Sequence, residues 1–174
     1  GTSHAATDAK LLARIERMAA ELEAVKAELK TVKAEAAARR ALDLQRKEPW
    51  AQHALAHVML TQGRVAEGVA FLEGVRDTWT GLNSFMDTHL WWHLALFYLS
   101  QGRFDAALAA YDDHVWGQEK DYSQDQVGAV SLLARLVTTG KRSLATSSRM
   151  ARAAFRRAKA TRSWRFSCND WLTS

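Results

Sequence analysis

The segment HLWWHLALFYLSQGRFDAALAAYDDHV, residues 89–115, reads as two helices joined by a tight turn. Trp91, Leu94, Ala95 and Tyr98 fall three, four and seven residues apart and so share one helical face. Ser100-Gln101-Gly102 ends that helix, and Phe104, Ala107, Leu108 and Tyr111 restart the same rhythm on a second one. A small residue, Ala95 or Ala107, sits where each helix must touch the other, with bulky residues around it. Such a hairpin cannot bury its apolar face alone. It implies stacked neighbours and an open concave surface.

The neighbours are found by sliding the unit along the chain. Gly102-Arg103 has a counterpart in Gly63-Arg64, 39 residues upstream, with Leu55, Ala56 and Met59 in the places of Leu94, Ala95 and Tyr98. Gly68 there takes the place of Ala107. A weaker third copy aligns Leu132, Leu133 and Leu136 and ends at Gly140. The spacing exceeds the usual repeat of about 34, and the surplus is assigned to a loop over 77–87, where Gly81, Asn83 and Ser84 are turn residues. Helix pairs are therefore expected at about 50–73, 87–115 and 123–158.

Two runs carry a narrower resemblance. WAQHALAHVMLTQGRVAEGVAFLE (residues 50–73) and HLWWHLALFYLSQGRFDAALAAYDDHV resemble the tetratricopeptide repeat protein 38 family in their double-histidine helices and Gly-Arg turns, and VSLLARL (residues 130–136) also fits it. The likeness covers about 41–140. It implies a helical solenoid and no particular activity. Both ends depart from the family pattern.

At the first end, Leu11, Ile15, Met18, Leu22, Val25, Leu29, Val32 and Ala36 are spaced alternately four and three residues apart, the seam of a coiled coil. Glu21 and Glu28 stand five residues before Lys26 and Lys33, the spacing at which flanking charges pair across a parallel coil. A homodimer through residues 11–36 is the favoured reading; packing of this helix on the first repeat, ending before Pro49, is the alternative.

The other end is basic. Residues 141–174 hold nine of the 24 Lys and Arg but only one of the 19 acids, a charge of +8 against −3 for the rest. The net +5 thus describes a tail, not a basic domain. Trp164, Phe166 and Trp171 interleave with its arginines. Through this tail alone the chain would meet nucleic acid or an anionic membrane surface. The competing reading is a cationic final helix that covers the open end of the stack. Cys168 is the single cysteine, so intramolecular disulfides and Cys-based zinc motifs are excluded. No apolar run approaches the ~20 residues of a membrane span, and the start lacks signal-peptide order. A cytoplasmic location is expected.

Two histidine pairs carry the most chemistry. His53 and His57 lie four apart on the first helix of one hairpin, His89 and His93 four apart on the first helix of the next. That spacing stacks imidazoles on one face, where both reach a single ion. Corresponding helices pack at roughly 8–10 Å, so four imidazoles can converge on zinc or another transition metal, or flank a haem. The pairs are expected on the groove surface rather than in the core, with Asp87, Asp112 or Asp113 as orienting acids. No Glu follows His53 or His89, so the zinc-protease motif is absent. Trp91 fits the core face, which leaves Trp92 to pack between repeats or anchor a partner in the groove.

No nucleophile elbow, phosphate loop or paired catalytic carboxylates are found. The sequence therefore points to an all-α chain, a short tetratricopeptide-like helical-hairpin solenoid with a long N-terminal coiled-coil-like helix. Its segments are 1–48 (helix), 49–140 (repeats) and 141–174 (basic). The favoured function is a non-catalytic interaction module without a cofactor, holding a protein or peptide in a groove with Trp92, His53, His57, His89 and His93. The alternative is a metal or haem protein, conceivably an enzyme, using the same four histidines.

Overall fold

A computed structural model describes residues 2–118 and 122–139, and every regular element among them is helical. The basic segment 141–174, and any helix continuing to 158, lie outside the described residues. The first element, α1 (Thr2–Leu44), is a single helix of 43 residues. Neither Gly nor Pro interrupts it, and Ala, Glu, Lys, Leu and Arg dominate it. At 1.5 Å per residue it is about 65 Å long.

Two hairpins follow. In the first, α2 (Pro49–Thr61) opens with proline at its first turn and with the Glu48 carboxylate accepting from the Trp50 N–H. After a turn comes α3 (Val65–Val75), extended by a 3-10 turn over Arg76–Thr78. The second hairpin pairs α4 (Ser84–Ser100) with α5 (Phe104–Ala110). The two turns match in glycine conformation and in the hydrogen bond that closes them. Gly63 and Gly102 take φ of 69° and 71°, a left-handed conformation that glycine adopts without strain. In each, the arginine after the glycine donates its N–H back to the helix, Arg64 to Met59 O and Arg103 to Tyr98 O, both at 2.8 Å. This is the hydrogen bond of a glycine-stopped helix end. The last described helix is α6 (Ser123–Thr138).

Helix α4 is the hub of the packing, touching α2, α3, α5 and α6, while α1 packs on α2. Leu90, Leu94, Ala95 and Phe97 of α4 are sealed from solvent together with Leu55, Ala56, Leu72, Ala107, Leu132 and Leu136. Both expected small contact residues, Ala95 and Ala107, lie at full burial. Asp125 ties α6 to α4: its carboxylate accepts from Ser84 at 2.6 Å and Thr88 at 3.2 Å.

Four details differ from the expected boundaries. The loop before α4 is shorter, because Asn83 caps the helix by accepting from the Met86 N–H, and the helix begins at Ser84. Asp77 belongs to the 3-10 turn. The helix after Gly102 widens to a π-turn over Tyr111–Val115, which buries both Tyr111 and Val115. Trp91 is only partly buried, edge-on to Trp79 and stacked face to face on His114 at 3.5 Å. Its neighbour Leu90 is sealed instead, alongside Leu94, Ala95 and Tyr98.

None of the described helices is long and apolar enough to cross a membrane.

Candidate metal centre

The four paired histidines meet at the contact of α2 with α4. His57 Nε2 lies 2.9 Å from His53 Nε2, which lies 2.9 Å from His89 Nε2, and His89 Nε2 is 3.2 Å from His93 Nε2. One ligand atom from each ring can be chosen so that all four lie within 4.8 Å of one another. The ring centroids of neighbouring pairs are 4.5–4.8 Å apart, and His57 closes the circle on His93 at 4.5 Å.

Local sequence explains the convergence. Each i,i+4 pair points from one face of its helix, and the pairs are 36 residues apart, three fewer than the 39 that separate the two glycine turns. Three positions turn a helical face by about 60°, so, measured from its own turn, one pair is rotated relative to the other. At the spacing of the turns the two pairs would point the same way.

The cluster is graded in depth. His57 is exposed, His53 half-buried, His89 nearly buried and His93 fully buried. This corrects the expectation that all four lie on a groove surface outside the core. His89 is sandwiched between Phe85 and Trp92, with ring separations of 5.2 and 5.5 Å. Buried His93 Nδ1 has no hydrogen-bond partner among the described residues, so packing fixes its ring.

Electrostatics hold these rings neutral. Burial lowers the His53 pKa to about 4, aided by the neighbouring charge of His57. Burial lowers that of His89 to about 3, with His53 and His57 adding to the effect, and drives His93 well down for the same reasons. His57, the most open of the four, is lowered by the partial burial of its ring among the others. Neutral imidazole is the form that binds metals.

As a hydrogen-bond network the arrangement works only with tautomers that alternate along the chain of rings and with shared, three-centre bonds. A neutral ring nitrogen carries either a proton or a lone pair, never both. His53 Nε2 and His89 Nε2 each face two other Nε2 atoms, so neither can donate to one neighbour while accepting from the other. One cation can take all four lone pairs together. A tetrahedral ion with bonds of about 2.0–2.1 Å needs ligand nitrogens about 3.3–3.4 Å apart; the three successive Nε2 contacts are within a few tenths of an ångström of that, and all four ligand atoms lie within 4.8 Å of one another. Rings this close direct their nitrogens toward one another, as a single shared ion requires.

Trp92 packs between helices. Its ring lies on His89, its Nε1 donates to Ser131 Oγ at 3.1 Å, and Arg135 lies 5.9 Å over it. Of the acids named from sequence, Asp87 is half-buried near the start of α4, while Asp112 and Asp113 are exposed on the π-turn. Asp113 and His114 line a separate cleft of about 340 Å³ with Trp91. Its Glu73 is already engaged by the Tyr98 hydroxyl at 2.8 Å and by Arg103 at 3.1 Å.

Sequence reasoning passed over an aromatic rim beside the histidines. Trp50, Phe85 and Tyr122 stand at the starts of α2, α4 and α6, and each neighbouring pair of rings is 6.5 Å apart. Trp50 and Tyr122 are 60% and 46% exposed. The signal was an aromatic residue at the opening of each first helix. No family model matches the chain, and no solved structure matches it.

Proposed function

We propose that this chain is a metal-binding helical-repeat protein. In this reading His53, His57, His89 and His93 hold one divalent transition-metal ion that staples α2 to α4. The observation that carries it is the meeting of four Nε2 atoms, three successive contacts at 2.9–3.2 Å, from two helices. Four protein ligands fill a tetrahedral ion, which makes the site structural and leaves no position for a substrate. An all-imidazole set without thiolate or carboxylate suits zinc, copper(II), nickel or cobalt rather than magnesium or calcium. The matching glycine turns 39 residues apart support the tetratricopeptide-like solenoid, and the quoted motifs support kinship with the tetratricopeptide repeat protein 38 family.

The test is calorimetric titration of the chain, prepared without a histidine tag, with zinc, plus absorption spectroscopy with cobalt(II). One equivalent per chain and the visible bands of tetrahedral cobalt are expected. Absence of binding, or binding that survives removal of the cluster histidines, overturns the reading.

The aromatic rim of Trp50, Phe85 and Tyr122 favours a second reading, a docking surface for a protein or peptide. In that case replacing Trp50 weakens partner binding whether or not metal is present.

A further inference from the structure

Among the described residues, nothing covers most of α1. Over residues 10–30 every residue is exposed. Contact with the body begins near Glu35, which is bonded to Arg64, and continues through buried Ala38 and partly buried Ala41 and Leu42. Leu11, Ile15, Met18, Leu22, Val25, Leu29 and Val32 are each 50–60% exposed on one uninterrupted stripe. For an isolated helix in water such a stripe is unfavourable, and its four-three spacing is that of a coiled-coil seam.

We infer that this stripe is covered by other copies of the same chain, in a parallel coiled coil through residues 11–32. Charge selects the occupant and its direction. With Ile15, Leu22 and Leu29 at the first core position of each heptad and Leu11, Met18, Val25 and Val32 at the second, one flank carries Glu21 and Glu28 and the other Lys26 and Lys33. In a parallel pair each Glu meets the partner's Lys five residues on; in an antiparallel pair like flanks meet, Glu against Glu and Lys against Lys. A self-complementary pattern needs no foreign partner. Lys26 already bonds Glu23 of its own helix at 2.8 Å, but that pair is exposed and easily exchanged. In the heptads of Leu22–Val25 and Leu29–Val32 a leucine at the first core position precedes a β-branched residue at the second, the order that shifts the preference beyond two strands, so a trimer or tetramer is the expected assembly.

Light scattering on the full chain, in chelator so that bridging by metal is removed, tests this. The expected mass is three or four times 19.5 kDa, with a dimer also supporting self-association. Leu22→Lys with Leu29→Lys should return the monomer mass with the repeat helices intact by circular dichroism, since both positions are exposed. Orientation is read by mixing the wild type with a variant carrying Glu21→Lys, Glu28→Lys, Lys26→Glu and Lys33→Glu. Parallel coils keep the two chains apart, because mixed pairs set like charges together. A wild-type monomer at high concentration, assembly indifferent to the lysine substitutions, or preferential mixing of the two chains would each overturn the proposal.

Discussion

Gly68 of α3 lies flat against the ring of Phe97 of α4, so closely that a single methyl there would overlap it. Phe97 is fully buried and cannot swing away. Gly68→Ala should therefore destabilise the protein by about 1–3 kcal/mol, although alanine is the better helix former. Gly74, six residues along the same helix, is exposed and has nothing near its missing Cβ. Gly74→Ala should stabilise by about 0.5–1 kcal/mol. Thermal melts of the two variants should move in opposite directions; a shared direction would mean that α3 and α4 do not meet as described.

Much of this was legible because the two hairpins carry the same local signals. Gly63 and Gly102 marked both turns, and the small residues Gly68, Ala95 and Ala107 marked the close contacts. The histidine pairs were visible as pairs, but their depth was not. Spacing fixes which face a residue occupies, whereas burial depends on what the neighbouring helix lays over it, and Trp92 and Phe85 cover His89. The π-turn at Tyr111–Val115 escaped because its residues keep ordinary helical spacing. The aromatic rim escaped because its three members belong to different helices.

Gln52 is another residue whose role only the fold discloses. It is fully buried, donating to Arg46 O at 2.7 Å and to Thr78 Oγ1 at 3.1 Å while accepting from Trp79 Nε1 at 2.7 Å. Gln52→Leu fills the space but strands the buried indole N–H of Trp79. A buried unsatisfied group costs about 1–3 kcal/mol. The variant should lose about 1–3 kcal/mol, read as a fall in the denaturation midpoint at unchanged m-value. A loss under 0.5 kcal/mol would show that water replaces the amide.

Acid should weaken the metal-free fold. The histidines are held neutral in the folded chain, so on acidification the unfolded state takes up protons first. Stability from this source is complete above the unfolded value near 6.5 and is lost as pH falls toward about 4 for His53 and about 3 for His89. Glu35, lowered to about 2 chiefly by its hydrogen bond to Arg64, acts in a lower window, from its ordinary 4.5 downward. Melting temperature against pH should thus decline already between 6.5 and 5. In Glu35→Gln the decline over that upper window should persist. Histidine resonances that all titrate near 6.5 would contradict the packed cluster.

The graded depth of the cluster also changes which substitution tests the metal site. Replacing His53 and His89 together, attractive from sequence because neither fits the core pattern, would remove a buried ring between Phe85 and Trp92 and so confound binding with folding. His57 is the exposed member of the cluster. His57→Ala should leave the metal-free stability within about 0.5 kcal/mol yet remove one of four bonds to the ion. At zinc one hundred times its dissociation constant, wild-type protein gains about 2.7 kcal/mol, which raises the melting temperature by roughly 5–10 °C in a chain of this size. In His57→Ala most of that rise should vanish, and at pH 5 it should shrink in the wild type too, because protons compete for the lone pairs. His93→Ala should both lose the zinc effect and lower the metal-free stability, by about 1–3 kcal/mol, since its ring is fully buried. Should His57→Ala keep the full zinc-dependent rise, the ion is bound elsewhere, and the four histidines serve only as packing between α2 and α4.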